Sequence, residues 1–234
     1  MHDDSRLKPP FWKHDAYTLN LLRGALAAGC QRAARPAGTV VDYGSGTAPY
    51  REVVSPLFGD YVACDIAAGE GVDVVLASDQ RLPFDDGTVD CVLSVQVLEH
   101  VWDIDGYLRE CSRVLKPEGR LVLSTHGTWL YHPHPTDYRR WTRDGLVREL
   151  TDRGFVPESI QALVGPLAWT TQFRAIGYHT ILSRLGPPGK WLSAVICSFM
   201  HLRMKLEDWL TPATIRESNS AVYVIVATGS RSST

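Results

Sequence analysis

The first stretch able to bind a ligand lies where a β-branched run gives way to two glycines. Val40 and Val41 precede Asp42, and residues 43–46 read Tyr-Gly-Ser-Gly. Because glycine has no Cβ, this backbone can turn sharply and lie against a ligand. The amides at the start of the following helix favour negative charge. The pattern predicts a nucleotide-like ligand at this turn.

The residues around the turn distinguish between kinds of nucleotide ligand. A dinucleotide fingerprint places a third glycine three residues after Gly46, where this chain has Pro49. The acid Asp42 would repel a pyrophosphate, but it suits a cationic ligand group such as an α-amino group or a sulfonium. A second acid, Asp65, follows the glycines about twenty residues later, the spacing at which α/β nucleotide-binding sheets place a ribose-binding carboxylate.

A second chemical cluster is the stretch 126–142, which holds three histidines, an acid and several aromatic residues. Histidine titrates near neutral pH, so it can take a hydroxyl proton from an acceptor. The candidate bases are His126, His132, His134 and His100. For residues 138–142 a structural connector is the alternative. His132, His134 and Asp137 could ligate a metal, but this spacing is unspecific, and no metal site is predicted.

The elements that must position these residues alternate between strands and helices. Helices are predicted over 15–35, 50–57, 103–115 and 144–152. Strands are predicted over 39–43, 61–66, 72–77, 89–95, 120–125, 154–163 and 220–227. Such alternation implies a parallel sheet with helices on both faces. Ligands then bind beyond the carboxyl ends of the strands, where the glycine turn, Asp65 and the histidines converge.

Residues 166–210 interrupt the sheet before its last strand. Their apolar spacing predicts two amphipathic helices, separated by the Gly-Pro-Pro-Gly sequence at 186–189. We expect a lid or an acceptor-binding subdomain. A homodimer interface and a face for peripheral contact with a membrane are the alternatives.

Five motifs follow one another along residues 38–127. They are D-x-G-x-G at 42–46, an acid at 65, L-P-F-x-D-x-x-x-D at 82–90, V-L-E-H at 97–100 and L-K-P-E-G at 115–119. This set resembles the class I S-adenosylmethionine-dependent methyltransferases, in particular their broad small-molecule group. The resemblance implies an α/β fold with a Rossmann-like, doubly wound sheet of seven strands. It also implies an antiparallel last strand, with the helical insertion before it.

The resemblance further implies S-adenosyl-L-methionine as cofactor and S-adenosyl-L-homocysteine as product. Gly44 and Gly46 would touch its methionine part, Asp42 would hold its amino group, and Asp65 would accept from the ribose. The whole implied set is Asp42, Tyr43, Gly44, Ser45, Gly46, Tyr50, Asp65, Ile66, Ser78, Asp79, Gln80, Ser94, Val95 and Gln96. Many members of this group carry an acid at the position that corresponds to Ser78, whereas here the acid is the next residue, Asp79. Either Ser78 or Asp79 would therefore meet the adenine amino group.

Composition narrows the class of protein. The chain has 234 residues, of which 44% are hydrophobic, and its formal net charge of −2 argues against a nucleic-acid-coating protein. Five cysteines without a C-x-x-C pair are typical of a reducing compartment, so a cytoplasmic location is predicted. We find no signal-peptide pattern in the sequence and no run of about 18 apolar residues.

Three segments and one function follow from these observations. We expect residues 1–36 to form an arm and a helix over the cofactor site. Residues 37–165 and 218–229 should form the methyltransferase core, and residues 166–212 should form the insertion. The predicted activity is methyl transfer to a small molecule, as in O-methylation of a natural product, sugar or related metabolite. The alternatives are a lipid- or polysaccharide-linked acceptor at a membrane surface and a non-catalytic cofactor-binding scaffold. No nucleic acid partner is expected, and the acceptor and the attacked atom stay open.

Overall fold

The computed structural model describes residues 6–77, 81–133 and 136–229, and a seven-stranded sheet forms its centre. The strands are β1 (Arg35–Tyr43), β2 (Phe58–Asp65), β3 (Val74–Val75), β4 (Val89–Val95), β5 (Leu115–His126), β6 (Phe155–Leu163) and β7 (Val222–Gly229). The helices are α1 (Ala16–Ala33), α2 (Arg51–Val54), α3 (Ile104–Val114), α4 (Arg143–Thr151), α5 (Pro166–Leu182), α6 (Gly186–Leu210) and α7 (Ala213–Ser218). Short 3-10 turns cover Ser55–Leu57, Leu98–His100 and Ser183–Leu185.

The strand order is β3-β2-β1-β4-β5-β7-β6. The first five strands pair in parallel, and β7 lies antiparallel between β5 and β6. The chain crosses over between β1 and β4, so a crevice opens there at the carboxyl ends. The predicted seven-stranded sheet, its antiparallel last strand and the helical insertion before that strand are confirmed.

Apolar side chains alternate between two cores, one on each face of the sheet. Val41 and Val92 belong to the core beneath α3 and α4, whereas Val40 and Leu93 belong to the core beneath α1. All four are fully buried. Successive side chains of a strand point to opposite faces, so a run of valine and leucine serves both helical layers.

The edge strand β3 is shorter than the sequence predicts. It covers two residues, where the apolar run favoured a strand over 72–77. The reason is Asp73, whose carboxylate accepts from the amide of Ala63 at 2.8 Å and from Arg51 at 2.6 Å. A side chain therefore takes a hydrogen bond of β2 that a longer β3 would have supplied.

The helical insertion is a hairpin of α5 and α6. The Gly-Pro-Pro-Gly sequence marks the boundary as predicted, but α6 begins at Gly186 itself. Prolines are tolerated in a first helical turn, where their missing N–H group has no intrahelical partner. The helix α7, which follows the hairpin, was not predicted. Within the described ranges, no helix has the length and apolar character needed to cross a membrane.

Close packing within the hairpin depends on Gly189. A Cβ at this position would overlap the carbonyl oxygen of Leu182 in the preceding helix. We predict that Gly189→Ala lowers the free energy of unfolding by about 1–3 kcal/mol because it overpacks a buried contact. Gly177→Ala is the matched control, since nothing lies within 4 Å of its Cβ position. Alanine is the better helix former, so the control should be neutral or stabilising in urea unfolding followed by circular dichroism. Equal stability of the two variants would contradict the prediction.

Candidate active site

A cavity of about 770 Å³ lies beyond the carboxyl ends of β1, β2 and β4. Its walls come from the glycine turn, from the loops after β4 and β5, and from the N-terminal segment. The N-terminal contributors are Arg6, Lys13, His14, Asp15, Thr18, Leu19 and Leu22. This volume suits a nucleoside-sized ligand together with a second small molecule.

The glycine turn is tied to the neighbouring strand through its backbone. The amides of Gly44 and Ser45 both donate to the carbonyl of Cys64, at 2.8 and 3.1 Å. Gly44 has φ +83°, and a Cβ there would lie 2.6 Å from a methyl group of Val97. Glycine is therefore required at this position for two reasons, the positive φ angle and the close approach of the backbone to Val97. The turn residues Tyr43, Gly44, Ser45 and Gly46 all line the cavity.

Asp42 is a buried carboxylate at the end of β1, on the cavity wall. Its Oδ2 accepts a hydrogen bond from the hydroxyl of Tyr61. Burial raises the pKa of Asp42 to about 7, against the hydrogen bond from Tyr61 and the charge of Arg51, which lower it. A cationic ligand group placed here would favour the ionised carboxylate.

Asp65 faces the glycine turn from the end of β2. Its Oδ2 accepts from the amide of Gly46 at 2.7 Å, and its Oδ1 accepts from the amide of Ala67 at 3.1 Å. The carboxylate is thus held at the cavity edge, beside the half-exposed Ile66. Since a carboxylate has about four lone-pair sites, acceptor capacity is left for a ligand.

The end of β4 places Val95 and Gln96 on the cavity wall. Gln96 has φ +56°, and its side-chain amide donates to the hydroxyl of Ser124 at 3.1 Å. Ser94, the residue before Val95, is fully buried, and its Oγ lies 2.9 Å from the hydroxyl of Tyr107, which lines the cavity.

Two buried hydroxyl groups on the cavity wall have no hydrogen-bond partner within the described part of the chain. They belong to Ser45 and Tyr50, whose side chains are 5% and 2% exposed. Buried polar groups are nearly always hydrogen-bonded. These two therefore suit a polar ligand in the cavity.

A buried contact between a carboxylate and an imidazole links the loops after β4 and β5. Nδ1 of His126, the last residue of β5, lies 2.9 Å from Oε1 of Glu99. The other oxygen of Glu99 accepts from the hydroxyl of Thr125 at 2.8 Å. Burial works to raise the pKa of Glu99, but the contacts with His126 and Thr125 prevail and hold it below its ordinary value. Both members of the Glu99–His126 pair line the cavity.

Two further candidate histidines also line the cavity. Nδ1 of His100 lies 2.9 Å from the carbonyl oxygen of Thr136, and the ring of His132 lies 5.7 Å from that of His100. Burial, together with the nearby His100 and His126, lowers the pKa of His132. His134 falls outside the described residues, as do Ser78, Asp79 and Gln80.

The connector 138–142 forms backbone hydrogen bonds with both members of the Glu99–His126 pair. The amide of Tyr138 donates to the carbonyl of Glu99 at 2.9 Å, and that of Trp141 donates to the carbonyl of His126 at 3.2 Å. The guanidinium of Arg140 pairs with Asp137 and also donates to loop carbonyls. Residues 138–142 thus connect structurally while positioning the pair.

Sequence reasoning missed two partners in this site. Tyr61, which donates to Asp42, looked like an ordinary strand residue. Glu99 entered the sequence analysis only as a member of the V-L-E-H motif. A usable signal was present, since Glu99 follows β4, His126 ends β5, and consecutive parallel strands of such a sheet are often neighbours.

Comparisons with known proteins identify the family to which the chain is related. The family described as a methyltransferase domain matches residues 41–123. A Mycolicibacterium gilvum demethylmenaquinone methyltransferase is 31% identical over 160 residues, which cover 62% of this chain and 70% of the relative. A Mycobacterium tuberculosis protein, named a probable S-adenosylmethionine-dependent methyltransferase, is 38% identical over 91 residues. This alignment covers 36% of the chain and only about a third (33%) of that relative.

A solved structure shares the fold at low sequence identity. It is the geranyl diphosphate C-methyltransferase from Streptomyces coelicolor, in complex with Mg²⁺, a substrate analogue and S-adenosyl-L-homocysteine. The TM-score is 0.59 at 18% identity, over 92% of this chain and 81% of that one. The likeness extends beyond the sheet core, since it covers nearly all of the chain.

Asp42 makes the stability of the folded protein depend on pH. Its pKa in the folded protein lies above its ordinary value of 3.8, so the folded state binds this proton more tightly than the unfolded state. Stability from this residue is therefore present at low pH and is lost as the pH rises from about 4 to about 7.

We predict that Asp42→Asn removes this loss. Its free energy of unfolding should exceed that of the wild type at pH 8 by up to roughly 4 kcal/mol, with little difference at pH 4. Urea unfolding at both pH values measures it. Asp60→Asn, an exposed change on the neighbouring strand β2, is the control. Parallel pH dependence for wild type and Asp42→Asn would refute this account.

Proposed function

The chain belongs to the class I S-adenosylmethionine-dependent methyltransferases, and on that premise we propose that it transfers the cofactor's sulfonium methyl group to a nucleophile on a small molecule. One observation carries the proposal. A single cavity holds Asp42 and Asp65 near the glycine turn and the Glu99–His126 pair on the wall formed by β4 and β5. Groups able to bind the cofactor and to move a proton thus share one cavity.

The cavity residues fit the cofactor chemically. Asp65 retains lone pairs that can accept from ribose hydroxyls. Asp42 would face the cationic amino group, and the hydroxyls of Ser45 and Tyr50 would gain hydrogen-bond partners. Val95 and Gln96 would line the methyl-donor end.

Proton transfer is the step in which the Glu99–His126 pair would act. When bound, S-adenosylmethionine supplies a methyl group on a cationic sulfur, which the acceptor attacks in line. Glu99 fixes the tautomer of His126 with its proton on Nδ1, so Nε2 is the basic nitrogen. Glu99 also stabilises the imidazolium that forms when Nε2 takes a proton from the acceptor. Such general-base catalysis contributes roughly 10²- to 10⁴-fold in rate.

Among the described candidate bases, we assign the role to His126. Only its Nδ1 contacts a fully buried carboxylate, whereas Nδ1 of His100 faces a backbone carbonyl. His132 lies in an exposed loop, and its lowered pKa makes it a weaker base.

The acceptor wall favours a molecule with an apolar body. Trp129 stacks on His126 with ring centroids 5.2 Å apart and an interplanar angle of 8°, and Leu130, Tyr131 and Ile176 also line the cavity. We propose a hydroxyl-bearing acceptor, so that the product is a methyl ether of a natural product or related metabolite. A carbon acid is the second candidate, because the relatives named above include quinone and terpene methyltransferases, the latter a C-methyltransferase. Either acceptor needs a base.

Cofactor binding tests the Asp65 assignment without knowledge of the acceptor. We predict that Asp65→Asn weakens the affinity for S-adenosylmethionine by roughly tenfold or more, because hydrogen bonds to a charged group contribute about 1.5–3 kcal/mol. Isothermal titration calorimetry measures the affinity, with Asp60→Asn as control. Unchanged affinity in Asp65→Asn, or no binding by the wild type, would sink the assignment.

Kinetics test the Glu99–His126 pair. We predict that Glu99→Gln lowers kcat about 10²-fold or more while the affinity for S-adenosylmethionine stays within about threefold. His132→Asn is the control and should keep kcat within about fivefold. Release of S-adenosylhomocysteine is followed with catechol and 1,4-naphthoquinol as acceptors. Full turnover in Glu99→Gln would refute the general-base role of the Glu99–His126 pair. Cofactor binding by the wild type without turnover on either acceptor would favour the scaffold alternative.

A further inference from the structure

The hairpin of α5 and α6 carries an apolar stripe on the side of α6 that faces away from the protein. The inward stripe is buried and consists of Gly189, Ser193, Cys197, His201, Met204 and Asp208. The outward stripe consists of Trp191, Val195, Phe199, Leu202, Leu206 and Trp209. At about 100° per residue, the two stripes lie on opposite sides of the helix. The outward face of a helix in a soluble domain is ordinarily polar.

The exposure of this outward stripe is large. Trp191, Phe199 and Trp209 are 70%, 73% and 78% exposed, although aromatic side chains are usually buried. Ile181 and Leu185, at the tip of the hairpin, extend the apolar surface. Tryptophan and leucine on one face of a basic helix are typical of segments that lie in a bilayer interface.

Charge identifies the partner of this face. The hairpin carries five basic residues against two acidic ones, Glu207 and Asp208 near the end of α6, in a chain whose formal net charge is −2. Its cations are all exposed, namely Arg174, Arg184, Lys190, Arg203 and Lys205. Arg203, which pairs with Glu207 at 2.7 Å, and Lys205 fall on opposite flanks of the apolar stripe. A second copy of the chain would bring like charges together, whereas an anionic lipid surface complements them.

We propose that the α5–α6 hairpin docks on an anionic membrane surface, with its apolar stripe in the interface and its cations among the lipid headgroups. The hairpin reaches the cavity through Ile176 of α5. Docking would therefore bring the cavity close to acceptors dissolved in the bilayer. In naming a lipid-borne acceptor the inference rests on the proposed function, but docking itself is measured without cofactor.

Vesicle co-sedimentation of the full chain tests the docking. We expect binding to phosphatidylglycerol vesicles at low ionic strength, and binding weaker by roughly tenfold or more to pure phosphatidylcholine. Phe199→Ser should lower the partition coefficient by at least about tenfold, because burial of a phenylalanine is lost. Trp102→Ser is its control, since Trp102 is 72% exposed and lies outside the hairpin.

A charge-reversal pair separates electrostatic docking from apolar adhesion. The double variant Arg184→Glu, Lys190→Glu should bind phosphatidylglycerol vesicles at least about tenfold more weakly than the wild type. The control is Arg109→Glu, Arg148→Glu, which makes the same change in net charge on α3 and α4. Its vesicle affinity should stay within about threefold of the wild type. Circular dichroism confirms folding of each variant. The proposal is overturned if the wild type does not bind anionic vesicles, or if both charge pairs behave alike. It is also overturned if sedimentation equilibrium shows a dimer that Phe199→Ser dissociates, without vesicle binding.

Discussion

Two buried carboxylates at the carboxyl ends of parallel strands constrain this site, because a buried charge must be paired or neutralised. Asp42 and Glu99 meet that constraint in different ways. Glu99 lies against His126 and Thr125, and these contacts hold its pKa low. Asp42 has one hydroxyl partner, and burial raises its pKa to about 7. One end of the cavity therefore carries a fixed anion, and the other carries a carboxyl group that a cationic ligand would ionise.

The rest of the structure keeps these two groups in place. Gly44 allows the backbone to pass against Val97, which brings the turn beside the loop after β4. The connector 138–142 bonds to the backbone of both Glu99 and His126. The proton transfer that we propose for this pair needs rigid support of this kind, since small displacements of a catalytic group reduce its rate contribution strongly. The hairpin lies outside these contacts and is free to meet a surface.

Much of this fold could be predicted because each signal was local. Buried β-branched runs, the glycine turn and the alternation of elements fix the sheet, and the strand ends then place Asp42 and Asp65 at one crevice. The exceptions are non-local. The shortness of β3 depends on a hydrogen bond from the backbone amide of Ala63 to the carboxylate of Asp73, and the partner of His126 depends on how two loops meet.

A crystal structure with S-adenosylhomocysteine tests the central claim most directly. The account predicts both ribose hydroxyls within hydrogen-bond distance of Asp65, the amino group facing Asp42, and the sulfur directed toward the wall that holds His126. A ligand whose sulfur points away from His126, or a crevice filled by side chains while the ligand binds elsewhere, would contradict it.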